Sequence, residues 1–141
     1  MFARDILDPD FITMGGEASA LDAAKAMKSR HHGFVIVVSR DLKPEGIVTE
    51  WDFLSKITAE GRDPASVILK DVMSTVLVSV RESDGLDEVA KLMDEKQIRR
   101  VLVMRDGKLT GIITAKQILA RLEDYINTIS TQIARLHTQA F

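Results

Sequence analysis

Apolar positions along this chain fall into short runs and amphipathic stretches that alternate in one order, twice over. Phe34–Val38 and Val101–Met104 are nearly continuous apolar runs, the pattern of a strand covered on both faces. Ahead of each lies a stretch whose apolar residues recur at three- and four-residue steps, Ala18–Arg30 and Gly85–Lys96, with Leu86, Val89, Ala90 and Met93 on one face. Both predict helices, with Ser19 and Asp84 as polar capping candidates at their starts. Short extended pieces, Phe11–Met14 and Val76–Val80, come before these helices. Second strands follow at Gly46–Val48 and Leu109–Ile113, after the turn signals Asp41-Leu42-Lys43-Pro44-Glu45-Gly46 and Arg105-Asp106-Gly107-Lys108. A further helix opens at Thr49 and at Thr114. Each half therefore reads β-α-β-β-α, a mixed α/β (α+β) unit.

The two halves are copies. Asp5-Ile6-Leu7 matches Asp71-Val72-Met73 at an offset of 66, and Ala23-Ala24-Lys25-Ala26-Met27 matches Val89-Ala90-Lys91-Leu92-Met93 at the same offset. Phe34–Val38 falls on Arg100–Met104 in the same way. Gly46-Ile47-Val48-Thr49 meets Gly111-Ile112-Ile113-Thr114 at 65, after one extra residue in the first turn. The order of matches divides the chain into a repeat over 1–62, a repeat over 63–122 and a helical extension over 123–141, with the join near Ala59–Ser66. A unit of about 60 residues buries little on its own, so the two are expected to share an interface under pseudo-two-fold symmetry.

Composition narrows the chemistry. The 141 residues are 45% hydrophobic and 28% charged, with a net charge of −2 and no cysteine. Disulfides, thiolate catalysis and cysteine-ligated zinc are thereby excluded, and three histidines without an HExxH spacing offer no evident metal site. A near-neutral chain without a basic block is a poor general binder of nucleic acid. No apolar run approaches the roughly 18–20 residues that span a bilayer, and Met1-Phe2-Ala3-Arg4-Asp5 is too polar to open a signal peptide. A cytoplasmic protein without membrane or nucleic-acid partners is expected.

The order of these blocks resembles a tandem pair of cystathionine β-synthase (CBS) domains, a Bateman module, over about residues 3–122. The resemblance rests on Asp71-Val72-Met73, on Ile98-Arg99-Arg100-Val101-Leu102-Val103 and above all on Gly46-Ile47-Val48-Thr49-Glu50-Trp51-Asp52, which follows the family's Gly-apolar-x-Thr/Ser-x-x-Asp/Asn pattern. Ile36 and Leu102 stand where the family usually has a proline in the second strand. The resemblance implies a regulatory module without catalysis or cofactor, binding AMP, ADP or ATP, and in some members S-adenosylmethionine. It also implies a homodimer that acts on some regulated protein. A structural module with empty sites is the alternative.

Carried onto this sequence, the resemblance places Thr49 and Asp52 at the ribose and phosphate. The stretch Val76–Ser79, with Val78 and Ser79 in it, and residues Ile98 and Arg99 lie at the base or sugar, and Arg99 or Arg100 pairs with the phosphate. A helix start attracts anions, and a carboxylate there can accept from both hydroxyls of a ribose diol. Thr49-x-x-Asp52 is equally close to a capping box. Thr114-x-x-Gln117 is a better one and lacks the carboxylate, so Thr114, Gln117 and His32 are expected to form a weaker or purely structural second site. His31-His32 also reads as a loop pair. Trp51 is expected either beside the ligand or over the core between the repeats. Met73, Met93 and Met104 are expected to fill the cores.

Beyond Thr114, no Gly or Pro interrupts the chain. Ala115, Leu119, Leu122, Ile126, Ile129, Ile133, Leu136 and Ala140 recur every 3.5 residues on average. This stripe predicts either a dimerisation helix or one that folds back on its own chain.

Overall fold

The computed structural model describes residues 1–138. Ala140 and the last three residues of the 123–141 extension lie outside them. The element order is β1 (Thr13–Gly15), α1 (Ala20–Arg30), β2 (Phe34–Val38), β3 (Pro44–Thr49) and α2 (Glu50–Asp52), which continues as a π-helical turn over Phe53–Thr58. The second half repeats it with β4 (Ser79–Arg81), α3 (Leu86–Lys96), β5 (Arg100–Arg105), β6 (Lys108–Thr114) and α4 (Ala115–Thr138). The fold is mixed α/β, as its alternating pattern predicts. The first strand of each half begins two or three residues later than the apolar run suggests.

The halves form two sheets with the same wiring. In each, the first strand pairs parallel to the second, and the second antiparallel to the third. Thr13 faces Ile36 and Ser79 faces Leu102, and the register slips at the same place in both, between Val37 and Val38 and between Val103 and Met104.

Strand alternation decides where each side chain goes. Val35 and Val37 join Ala20, Ala23 and Met27 in one core, and Val101 and Val103 join Val89 and Met93 in another. The opposite faces meet each other: Phe34, Ile36 and Val38 pack with Leu102 and Ile112, flanked by Phe11, Ile47, Leu77 and Leu109. Ile36 and Leu102, the positions of the missing prolines, are buried in this shared layer. The expected interface between the repeats is therefore sheet against sheet.

The cores are also cross-stitched. The segment before β1 packs in the second core, where Ala3 is buried beside Ile6 and Leu7, while Val67, Leu69 and Val72 of the connecting segment complete the first. The same contacts recur in each half. Leu86 N–H donates to the Met1 carbonyl (3.0 Å) as Ala20 N–H donates to that of Val67 (2.7 Å), and Ile112 N–H to Asp8 (3.0 Å) as Ile47 N–H to Ser74 (2.9 Å).

Helix starts behave differently in the two halves. Ser19 Oγ accepts from Asp22 N–H (3.1 Å), as a cap should. Asp84 does not cap α3: its carboxylate accepts from Arg81 N–H (2.8 Å), and Gly85 takes the cap position. Met93 lies in the second core and Met73 packs against the first; Met104 sits half-buried near the end of the central strand β5. Trp51 covers no core, being 68% exposed. The end of the chain does not fold back, since Ile118 is the only buried residue among the described part of α4. Among the described residues no helix is long and apolar enough to cross a membrane.

Gly111 tests the stitching. A Cβ there would lie 2.6 Å from Leu7 Cδ1 and 3.0 Å from the Asp8 carbonyl, whose residue is held by two bonds to Ile112. Gly111→Ala is expected to cost about 1–3 kcal/mol, read as a lower urea midpoint. Gly15→Ala, where nothing lies within 4 Å, is the control and should leave the midpoint near wild type.

Candidate functional site

Where the sheet interface reaches the surface it leaves a cavity of about 190 Å³. Ile47 and Thr49 line it from β3, Val76, Leu77 and Val78 from the segment ahead of β4, and Ile98, Arg99, Arg100 and Leu102 from the start of β5. Backbone bonds hold these pieces together. Ile47 and Ser74 exchange two bonds of 2.9 Å, which lays the Val76 stretch along β3, and Leu102 N–H donates to the Val78 carbonyl (2.9 Å). Gln97 ends α3 in the left-handed conformation (φ 53°), and Ile98 N–H closes on the Met93 carbonyl (3.0 Å). That turn aims Ile98 and Arg99 at the cavity. The Val78 N–H and the Ile98 carbonyl take no part in these bonds.

Five of the seven residues expected at the main site thus share one cavity: Thr49, Val78, Ile98, Arg99 and Arg100. Ser79 does not; it lines a separate depression with Val80, Asp84 and Glu88. Asp52 is 7% exposed and lies behind the helix start. Its Oδ2 accepts from Thr49 N–H (2.8 Å) and Thr49 Oγ1 (3.2 Å), while Oδ1 pairs with Lys56 Nζ at 2.9 Å. Lys56 in turn donates to the Val72 carbonyl (2.8 Å), tying the helix start to the connecting segment. The carboxylate accordingly works as the acid of a capping box and as one half of an ion pair.

The two arginines differ. Arg100 lies over the Phe34 ring, with its guanidinium carbon 4.7 Å from the centroid. Partial burial draws its pKa below the ordinary arginine value; Glu50 opposes the shift and Arg99 adds to it. It stays charged at any neutral pH. Arg99 is exposed.

The counterpart region across the pseudo-two-fold is built otherwise. Thr114 N–H donates to Gln117 Oε1 (2.8 Å) and Gln117 N–H to Thr114 Oγ1 (3.2 Å), a reciprocal capping box as expected. Phe34 stands where Arg100 stands in the other half. His32 meets its ring edge-on with centroids 6.4 Å apart, and His32 Nε2 lies 3.3 Å from Asp10 Oδ2. Arg30 pairs with the other oxygen of Asp10. These side chains occupy one another. His32 also lines a wide depression of about 580 Å³ with Met27, Lys28, His31, Glu50 and Phe53. Among the described residues no three His, Asp or Glu side chains group closely enough to hold a metal.

Val76 and Leu77, within the stretch expected at the base or sugar, do line the cavity, whereas sequence reasoning did not single out Ile47 or Leu102 as cavity walls, nor Lys56 as the partner of Asp52. Strand period was the available signal for Ile47, which shares a face with Thr49. Lys56 follows Asp52 by four residues, the spacing of a helical ion pair.

The profile of the CBS domain family matches twice, over residues 3–59 and 69–124. An uncharacterised protein of Methanopyrus kandleri is 37% identical over 118 residues, 83% of this chain; the chain spans 60% of that relative's length. Among solved structures, a hexameric CBS-CP12 protein from bloom-forming cyanobacteria matches with TM-score 0.75 and 34% identity over 84% of this chain and 69% of its own. A CBS domain pair in complex with 5′-methylthioadenosine and S-adenosyl-L-methionine matches with TM-score 0.77 and 25% identity over 89% of this chain and 98% of its own.

Two outcomes follow from these contacts. Asp52→Ala is expected to lower stability by about 1–3 kcal/mol, because it strips an acceptor from the buried helix start; Asp52→Asn, which keeps an oxygen for Thr49 N–H, should lose less in the same urea titration. The bond from Arg30, and next that with His32, hold the Asp10 carboxyl below the usual carboxylate range. Its contribution to folding is thus present above the ordinary carboxylate pKa and lost as pH falls through the lowered one. A carboxyl-carbon NMR titration should show Asp10 moving up toward the usual value in Arg30→Ala.

Proposed function

The chain belongs to the CBS domain family, with two CBS domains in tandem, and from that premise we propose that it is a regulatory module binding one adenine nucleotide (AMP, ADP or ATP) per chain, without catalysis of its own. The observation that carries this reading is the single cavity in which apolar walls, a helix-opening threonine and two arginines meet. Val76, Leu77, Val78 and Ile98 cover the flat faces of a base. The Val78 N–H and the Ile98 carbonyl supply one donor and one acceptor, the pair that an adenine edge requires. At about 190 Å³ the cavity is smaller than the roughly 300–1,000 Å³ of most small-molecule pockets, so base and sugar fill it and the phosphates extend outward.

Arg99 is the phosphate ligand of choice, because Arg100 is already placed on Phe34. Asp52 takes a ribose hydroxyl through Oδ1 by loosening its pair with Lys56. The region of Thr114, Gln117 and His32 serves structure in this reading, which sets one ligand per chain.

S-adenosylmethionine is a second reading, supported by the solved CBS pair that holds it. The two arginines favour phosphate over a sulfonium cation. As related CBS proteins assemble into oligomers, the chain is further proposed to act as a homodimer toward the protein it regulates.

Calorimetry with adenosine, AMP, ADP, ATP and S-adenosylmethionine tests this. The three nucleotides are expected to bind at one per chain. Arg99→Ala, an exposed change that spares the fold, should weaken them about tenfold or more through loss of a charge-assisted contact and leave adenosine unaffected. Binding by none of the five ligands would instead make the chain a structural module, and steady release of phosphate from ATP would make it an enzyme.

A further inference from the structure

Asp52 is held from two sides. Thr49 engages Oδ2 through its N–H (2.8 Å) and its hydroxyl (3.2 Å), and Lys56 Nζ sits 2.9 Å from Oδ1. Each carboxylate oxygen accepts about two bonds, so the place left for a further donor is on Oδ1, beside the ammonium. In this arrangement Asp52 is buried and does not line the cavity that Thr49 lines.

Lys56 reaches beyond the carboxylate. The same Nζ donates to the carbonyl of Val72 (2.8 Å), which is buried in the first core. Past Val72 the chain is joined to β3 by the Ser74–Ile47 bonds, and Val76, Leu77 and Val78 then run along the cavity. One ammonium thus ties the carboxylate to the root of the cavity wall.

The other half shows what a helix start requires by itself. Gln117 stands in the place of Asp52 and accepts from the same two groups of Thr114, with no charge to balance. Arg121, in the place of Lys56, is exposed on a helix that runs on regularly, whereas Lys56 rides on the π-helical turn Phe53–Thr58. Such turns are rare and recur at functional sites. Capping alone therefore needs neither the acid nor the lysine, and the two occur together behind the cleft.

We infer that Lys56 is a latch on Asp52. It occupies the oxygen that a ribose hydroxyl needs, so a bound nucleotide must displace the ammonium, and the strength of that pair sets how well the site tells ribose from a sugar without hydroxyls. The inference rests on the nucleotide reading above and adds to it the residue that sets sugar selectivity. Displacing the ammonium loosens its hold on the Val72 carbonyl as well, so the ligand is felt in the segment that joins the two CBS domains.

Calorimetry of AMP and 2′,3′-dideoxyadenosine 5′-monophosphate on wild type and Lys56→Met tests the latch. The two ligands share base and phosphate, so the ratio of their dissociation constants reads the hydroxyls alone. Lys56→Met keeps the stem and removes the charge, and its folding is checked by the unfolding transition. Its preference for AMP over the dideoxy ligand is expected to exceed that of wild type about tenfold, through a charge-assisted bond made without a competitor. The unaltered chain gives a second readout: the NMR resonance of the Lys56 ammonium nitrogen should shift with AMP and stay in place with the dideoxy ligand. A preference that stays or falls in Lys56→Met would overturn the latch and leave the nucleotide reading standing, as would a resonance that both ligands move equally. Binding of neither ligand by wild type or variant would overturn both.

Discussion

The constraint on which this structure depends is that neither sheet can cover both of its faces. Helices α1 and α3 take one face of each, through Val35 and Val37 and through Val101 and Val103. The remaining faces carry Phe34, Ile36, Val38, Leu102 and Ile112, and water is excluded from them only when the two sheets meet. Leaving such strands open would expose several fully apolar side chains, each of which stabilises the fold by about 1.5–3 kcal/mol when buried. Cross-stitching follows from the same need. Ala3 with Leu7, and Val67 with Leu69, fill the helix-side core of the opposite half, so a lone repeat lacks part of its own core.

The cavity is a by-product of that sheet contact. Three-stranded sheets meeting across a two-fold leave room where β3 of one half passes the start of β5 of the other. Symmetry would make two such places, and side-chain identity makes them unequal. Arg100 in one half corresponds to Phe34 in the other, and the two stack on each other across the interface. Asp10 then draws Arg30 and His32 together on the Phe34 side. A duplicated backbone has thereby acquired one cleft lined by two arginines and a counterpart region where Asp10, Arg30, His32 and Phe34 contact one another.

Asp52 illustrates how far a motif can be read. Its spacing from Thr49 is shared by a ribose-binding carboxylate and by a helix cap, and both follow from the same exposed N–H groups at a helix start. The cap and the Lys56 pair are in place. Asp84 shows the opposite case: it is a plausible cap from sequence, but its carboxylate instead accepts from Arg81 N–H in the turn ahead of the helix. Trp51 reads from sequence either as a flank of the ligand or as a cover for the core between the repeats, and it does neither: it stands in solvent and does not line the cavity.

By itself the sequence determined the duplication, the order of elements, the capping boxes at Thr49 and Thr114 and the 3.5-residue stripe of the last helix. These are local or periodic properties, set by backbone sterics and by the spacing at which side chains share a face. Only the tertiary structure decided which core each connecting segment completes, and that Phe34 lies beneath Arg100. It also decided that Asp52 sits behind the cleft and Ser79 outside it, and that the last helix leaves the body. All of these depend on contacts between residues distant in the chain, where burial and charge are settled by what arrives from the other half.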